Sequence, residues 1–158
     1  SKDTILERYL NVVEFGPKIY GIFAASQYYF QKTPDQLHLL EAAYLAFLLP
    51  NPKGYSVSFR EGRLTPFAEK SIGLILKRLL VFKKISAHSY ERALEYMPSF
   101  PWQHLSSTDF EGDWPEEQIE SNENDNLRLM IEEELGRSEA DEPVPSEDEA
   151  SEENVFDE

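Results

Sequence analysis

Apolar positions recur at helical spacing through most of the first hundred residues. Ile5, Leu6, Tyr9, Leu10 and Val13 share one face, which predicts a helix that starts at the N-cap Ser1, carries Asp3 in its first turn and stops at Gly16-Pro17. After Gly21 a second run brings Ile22, Ala25 and Tyr29 together, with Gln27 and Phe30 at its edges. The small residues Ala24, Ala25 and Ser26 let another backbone approach that helix closely. Thr33-Pro34-Asp35 reads as a cap followed by proline at the first helical position, enough for one turn. Residues 39–49 are apolar all round, the pattern of a buried central helix. His38 stands at its cap with Glu41 three residues on. That is the spacing of a capping box, but histidine is a poor cap, so a slightly weakened helix start is expected.

Pro50-Asn51-Pro52 ends that helix, and residues 53–61 read as a loop. Thr65-Pro66 opens the next helix, with Ile72, Ile75, Leu76, Leu79 and Leu80 on one face and Lys70, Lys77 and Arg78 on or near its polar side. Ser86 caps a last helix whose inward positions are Tyr90, Ala93, Leu94 and Met97; Pro98 and Pro101 stop it. No stretch alternates as a strand would, and no segment repeats. The pattern predicts an all-α domain over residues 1–105.

Composition shifts at residue 106. Residues 1–105 hold 13 Lys and Arg against 9 Asp and Glu, whereas residues 106–158 hold 2 against 21. The net charge of −15 therefore joins a mildly basic body to a strongly acidic tail. Such a tail buries too little apolar surface to offset its ordering entropy, so residues 106–158 are expected to be largely disordered. One stretch, residues 126–135, puts Leu127, Met130, Ile131 and Leu135 on one helical face and could fold against a partner. Asn122, Asn124 and Asn126 alternate like calcium-loop ligands, but Leu127 stands where such a loop needs glycine, which excludes an EF-hand. Trp102 and Trp114 flank the junction; they read first as packing for the last helix and second as a partner site.

A basic body suits an anionic ligand or a membrane surface, and equally reads as ordinary surface charge; no nucleic-acid partner is expected. Cysteine is absent, so no disulfide or thiolate chemistry is needed. No apolar run is long enough to span a bilayer, and no signal peptide is present. A helix pattern that begins at a first residue other than methionine leads to the expectation of a fragment of a longer protein.

Ordered matches at fixed spacing add a family to this outline. They begin with Ser1-Lys2, Ile5-Leu6, Tyr9-Leu10-Asn11 and Glu14-Phe15-Gly16. Tyr20-Gly21-Ile22, Ala24-Ala25 and Tyr29-Phe30 follow, then Leu37, Glu41-Ala42-Ala43, Leu45-Ala46 and Leu49-Pro50-Asn51-Pro52. Together they resemble the second half of the peptidoglycan glycosyltransferase domain, glycosyltransferase family 51, over about residues 1–100. Glu14-Phe15-Gly16 and Leu49-Pro50-Asn51-Pro52 take the form of the monofunctional biosynthetic transglycosylases. His38 departs from the Thr or Ser usual at its position.

The resemblance implies a lysozyme-like helical domain that polymerises lipid-linked disaccharide-peptide (lipid II) into a growing glycan strand by inverting transfer. It also implies a parent held in the bacterial inner membrane by an N-terminal anchor missing from this chain, with the domain facing the periplasm. The chemistry needs a general base at the acceptor hydroxyl and positive charge, or a divalent cation such as Mg or Mn, at the leaving pyrophosphate. The family places its base, its second functional glutamate and its main pyrophosphate-binding residues upstream of the segment matching Ser1. No catalytic residue is therefore expected within this chain.

What remains by resemblance is one wall of the substrate cleft. Glu14 lies next to the sugar-binding groove, against the alternative of a solvated carboxylate at a helix end. Asn11 is read as a ligand or a backbone partner, and Tyr9 as a family position whose ring is expected in the core. Lys2 adds charge near the pyrophosphate or is solvated. Lys70 stands near where the family has arginines facing the phosphates, with Arg78 further along; lysine for arginine loses bidentate phosphate binding. Glu7 and Glu14 share a helical face about 10 Å apart along the axis, roughly an inverting-glycosidase spacing, but Glu7 is read as exposed. His38, His88 and His104 are too scattered for a zinc cluster. The rival function is a non-catalytic helical module whose acidic tail binds a basic partner.

Overall fold

The computed structural model describes residues 1–111. The predicted acidic tail beyond that point, with its 126–135 helix pattern, Trp114 and the excluded calcium loop, lies outside the described residues. The described chain is mostly helical. Seven helices run in order: α1 (Lys2–Val12), α2 (Ile22–Phe30), α3 (Leu39–Leu48), α4 (Pro52–Tyr55), α5 (Val57–Glu61), α6 (Pro66–Val81) and α7 (Ala87–Tyr96). Short 3-10 turns occupy Pro34–Gln36, Met97–Ser99 and Ser107–Phe110. No helix among these residues is long and apolar enough to cross a membrane.

Two strands interrupt the all-α expectation. β1 (Glu14–Gly16) pairs antiparallel with β2 (Ile19–Tyr20), Glu14 opposite Tyr20 and Gly16 opposite Ile19, with an irregularity between. Pro17 and Lys18 make the turn, Lys18 at a φ of 63°. The ribbon is too short to leave an alternating pattern in sequence. Gly21 then starts α2 at a φ of 83°, and its N–H donates to the Val13 carbonyl at 2.8 Å. A Cβ there would sit 2.6 Å from the Asn11 carbonyl oxygen, so only glycine allows α1 and α2 to meet so closely.

The core is built around α3, as its apolar pattern predicts. Leu40, Tyr44, Leu45 and Leu48 are buried, and α3 packs on α6 through Ile72 and Leu76. α7 closes over α6, contributing Ala93, and Met97 follows beyond its end. Leu94, expected inward, is instead exposed, because the buried stripe runs through positions 90, 93 and 97 and leaves 94 at its edge. Trp102 packs the end of the domain: its ring is fully buried and its Nε1–H donates to the carbonyls of Tyr96 and Met97 at 2.9 and 3.2 Å. Packing continues past the compositional boundary at 106, since Phe110 is buried and its carbonyl accepts from Ser89 Oγ at 2.6 Å.

Residues 53–61 are not a loop. Asn51 Oδ1 accepts from the Gly54 N–H at 3.1 Å and Pro52 takes the first helical position, so the Pro-Asn-Pro stretch that ends α3 also starts α4, and α5 follows at once. The larger departure is α1. Its amphipathic face is present, but no residue of the helix is buried. Only Leu10, with Val13 just beyond the helix, reaches the core edge, and Tyr9 is exposed rather than buried as expected.

Candidate functional site

Each predicted site residue can be placed on these elements. Lys2, Tyr9 and Asn11 are exposed on α1. Lys2 opens the helix, where Ser1 Oγ caps by accepting from the Thr4 N–H at 3.2 Å. Asn11 sits at the other end and, with Asp3, Leu6, Glu7, Leu10 and Ile22, lines an open cavity of about 270 Å³ between α1 and the start of α2. Its walls are the apolar side chains of Leu6, Leu10 and Ile22. The polar groups at Asp3, Glu7 and Asn11 recur every four residues, so they fall on one stripe of the helix.

Of the five predicted residues only Asn11 lines that cavity. Glu14 is half-buried in β1, where its Oε1 accepts from the Lys18 N–H at 3.4 Å and so closes the ribbon's own turn. Lys70 is exposed on α6. Asp3 and Glu7 were not singled out for this place by sequence reasoning; their four-residue spacing to each other and to Asn11 was the available signal.

The strongest electrostatic feature lies elsewhere, at the start of α3. Glu41 is buried, and both its oxygens accept from Lys32 Nζ, at 2.8 and 3.0 Å. Lys32 follows α2 directly, so this pair ties α2 to α3. Glu41 Oε2 also accepts from the His38 backbone N–H at 3.1 Å, and His38 Nδ1 accepts from the Glu41 N–H at 3.4 Å. Histidine thus completes the capping box in which it was expected to be a poor cap. With Nδ1 accepting, the imidazole proton sits on Nε2, which lies 3.3 Å from Glu41 Oε1 without forming a hydrogen bond.

Burial and, secondarily, the Lys32 charge push the His38 pKa down to about 4, so the ring is neutral near pH 7. Burial raises the Glu41 pKa, while the Lys32 ammonium pulls it back. Phe110 stacks on the His38 ring at 4.9 Å between centroids. Glu41 is enclosed, Lys32 keeps some contact with solvent, and His38 lines an open cavity of about 420 Å³ together with Lys84, Ser86, Ser89 and Phe110. A second buried tie, Tyr29 Oη to the Phe15 carbonyl at 2.7 Å, fixes β1 on α2; burial raises that hydroxyl's pKa to about 12. Among the described residues no group of three or more His, Asp or Glu side chains could hold a metal ion.

The chain belongs to the transglycosylase family, whose model matches residues 1–79. It is similar to the biosynthetic peptidoglycan transglycosylase of Shewanella amazonensis, at 58% identity over 57 residues, 36% of this chain and 23% of the relative. The protein of the same name from Pasteurella multocida is 57% identical over 58 residues, 37% of this chain and 24% of the relative. That of Acinetobacter baylyi is 49% identical over 63 residues, 40% of this chain and 28% of the relative. The chain spans about a quarter of the length of these relatives. No solved structure matches it significantly. The resemblance read from the sequence to about residue 100 is borne out to residue 79.

Proposed function

We propose that residues 1–111 belong to the C-terminal portion of a lysozyme-like peptidoglycan glycosyltransferase domain. The parent polymerises lipid II into glycan strands by inverting transfer at the periplasmic face of the inner membrane. The observation that carries this reading is the family match over residues 1–79, reinforced by relatives near 58% identity that bear a peptidoglycan transglycosylase name. No observation favours a non-catalytic module.

In this reading the chain supplies one wall of the cleft. Asn11 and Glu14 offer hydrogen bonds to the sugars from the end of α1 and from β1. Tyr9 presents its ring from the exposed face of α1, and Lys2 and Lys70 add positive charge toward the pyrophosphate. The general base that takes the acceptor hydroxyl proton comes from outside residues 1–158. The residues described do not suit a metal, so a divalent cation at the pyrophosphate would take its ligands from the substrate and from residues outside this set.

Two samples test the reading. Residues 1–158 alone, given lipid II, should form no glycan, and glycan synthesis would overturn the placement of the base. A chimera in which residues 1–79 replace the family-matched segment of the Shewanella amazonensis relative should polymerise lipid II. A folded but inactive chimera would overturn the assignment of this segment to the cleft.

A further inference from the structure

β1 carries a bulge at Phe15. Glu14 stands opposite Tyr20 and Gly16 opposite Ile19, so Phe15 faces no residue of β2. A bulge of this kind re-aims the side chains beside it. The Phe15 carbonyl accepts from Tyr29 Oη at 2.7 Å, and both residues are 1% exposed. The Tyr29 ring is held edge-on by Tyr28, Tyr44 and Phe59, with centroids 5.0, 5.7 and 4.9 Å away. Its hydroxyl is therefore a fixed post beneath the ribbon. Gly16 lies over that post. A Cβ at Gly16 would run into the Tyr29 hydroxyl, and the backbone there has no positive φ that would itself call for glycine. The close approach alone excludes a side chain.

We infer that Tyr29 is a positioning residue for the transfer reaction, setting the height of the Glu14 carboxylate in the cleft wall through the Phe15 carbonyl. Glu14 directly precedes Phe15, so a shift of the held carbonyl moves Glu14 with it. The carboxylate's own hydrogen bond, from the Lys18 N–H at 3.4 Å, lies within the ribbon and travels with it. That bond places the side chain on the ribbon, whereas Tyr29 places the ribbon on the helical body. A hydrogen bond to substrate tolerates only about 0.5 Å in length. A misplacement of about 1 Å can cost on the order of a hundredfold in rate. The inference rests on the proposed role of Glu14 at the cleft, and its test separates the two.

The test is a double-mutant cycle of Tyr29→Phe and Glu14→Ala, read as lipid II polymerisation by the chimera described above. Phenylalanine keeps the ring contacts and removes only the donor. It strands the Phe15 carbonyl, so rates are compared well below each variant's melting transition. Tyr29→Phe should lower kcat/KM about tenfold in the chimera, and less than about twofold where Glu14→Ala is already present. A hydroxyl that serves stability alone would give losses that multiply in the double variant, so a multiplicative pair overturns the inference. So does a Tyr29→Phe chimera with unchanged kcat/KM. In either result a loss from Glu14→Ala leaves the role of Glu14 standing. A Glu14→Ala chimera with full activity removes that role, and the inference with it. Should Tyr29→Phe fail to fold, Gly16→Ala keeps the hydroxyl and lifts the ribbon off it instead. Its loss should likewise vanish beside Glu14→Ala, and a loss that persists there overturns the inference.

Discussion

Lys32 Nζ lies 2.8 and 3.0 Å from the two carboxylate oxygens of Glu41, a side chain that is 99% buried, and so joins the end of α2 to the start of α3. Removing one member of a buried pair strands the other charge, which costs about 3–5 kcal/mol when both are fully enclosed. Lys32 keeps some contact with solvent, so Lys32→Met should cost less, about 2–4 kcal/mol by urea denaturation. Lys32→Met combined with Glu41→Leu should recover most of that loss. An unchanged denaturation midpoint for Lys32→Met would show that the pair does not hold the helices together.

His38 makes the fold sensitive to acid. Its pKa is about 4 in the folded protein, below the ordinary 6.5, so the unfolded chain binds the extra proton between those values. The stability this neutral ring contributes is full above pH 6.5 and is lost as pH falls toward 4. Glu41, with a raised pKa, has the opposite sign: its folded form takes up a proton sooner than the unfolded one, which favours folding on acidification just above 4.5. From pH 7 to pH 5 the His38 effect dominates and should remove about 2 kcal/mol. His38→Thr keeps a cap and removes the titration, so its stability should change much less over that interval. Parallel losses in the two proteins would assign the acid sensitivity elsewhere.

Gly21→Ala should destabilise by about 2 kcal/mol or more. The position combines a φ of 83° with a Cβ that would press on the Asn11 backbone carbonyl. Thermal melts of the variant check this; an unchanged midpoint would mean that the α1–α2 junction opens freely.

How much of this was legible in the sequence follows from how local each signal is. α3 was legible because residues apolar on every side leave a helix only one place to go. The Asn51 cap was misread because a proline pair marks both the end of one helix and the start of the next. α1 was read correctly as a helix, but Tyr9 was wrongly expected in the core: periodicity shows that Ile5 and Tyr9 share a face, not what covers it. At the cavity beside α1, the Asp3, Glu7 and Asn11 stripe is written in the spacing, but Ile22 joins it only through the turn at Gly21. Lys32 gave no signal, since its partner lies nine residues away across a 3-10 turn.

Glu14 separates two roles. If it contacts substrate, Glu14→Ala in the active chimera should lower kcat/KM about ten- to a hundredfold, and more than Glu7→Ala does, with melting nearly unchanged. Equal kcat/KM for wild type and Glu14→Ala at matched stability would leave its carboxylate only the Lys18 N–H to serve.

The most direct measurement is lipid II polymerisation by the chimera carrying residues 1–79. If this segment forms the cleft wall of a peptidoglycan glycosyltransferase, kcat/KM should stay within about tenfold of the Shewanella amazonensis parent, a difference of about 1.4 kcal/mol in transition-state stabilisation. A chimera that melts like the parent but makes no glycan above background would contradict that account.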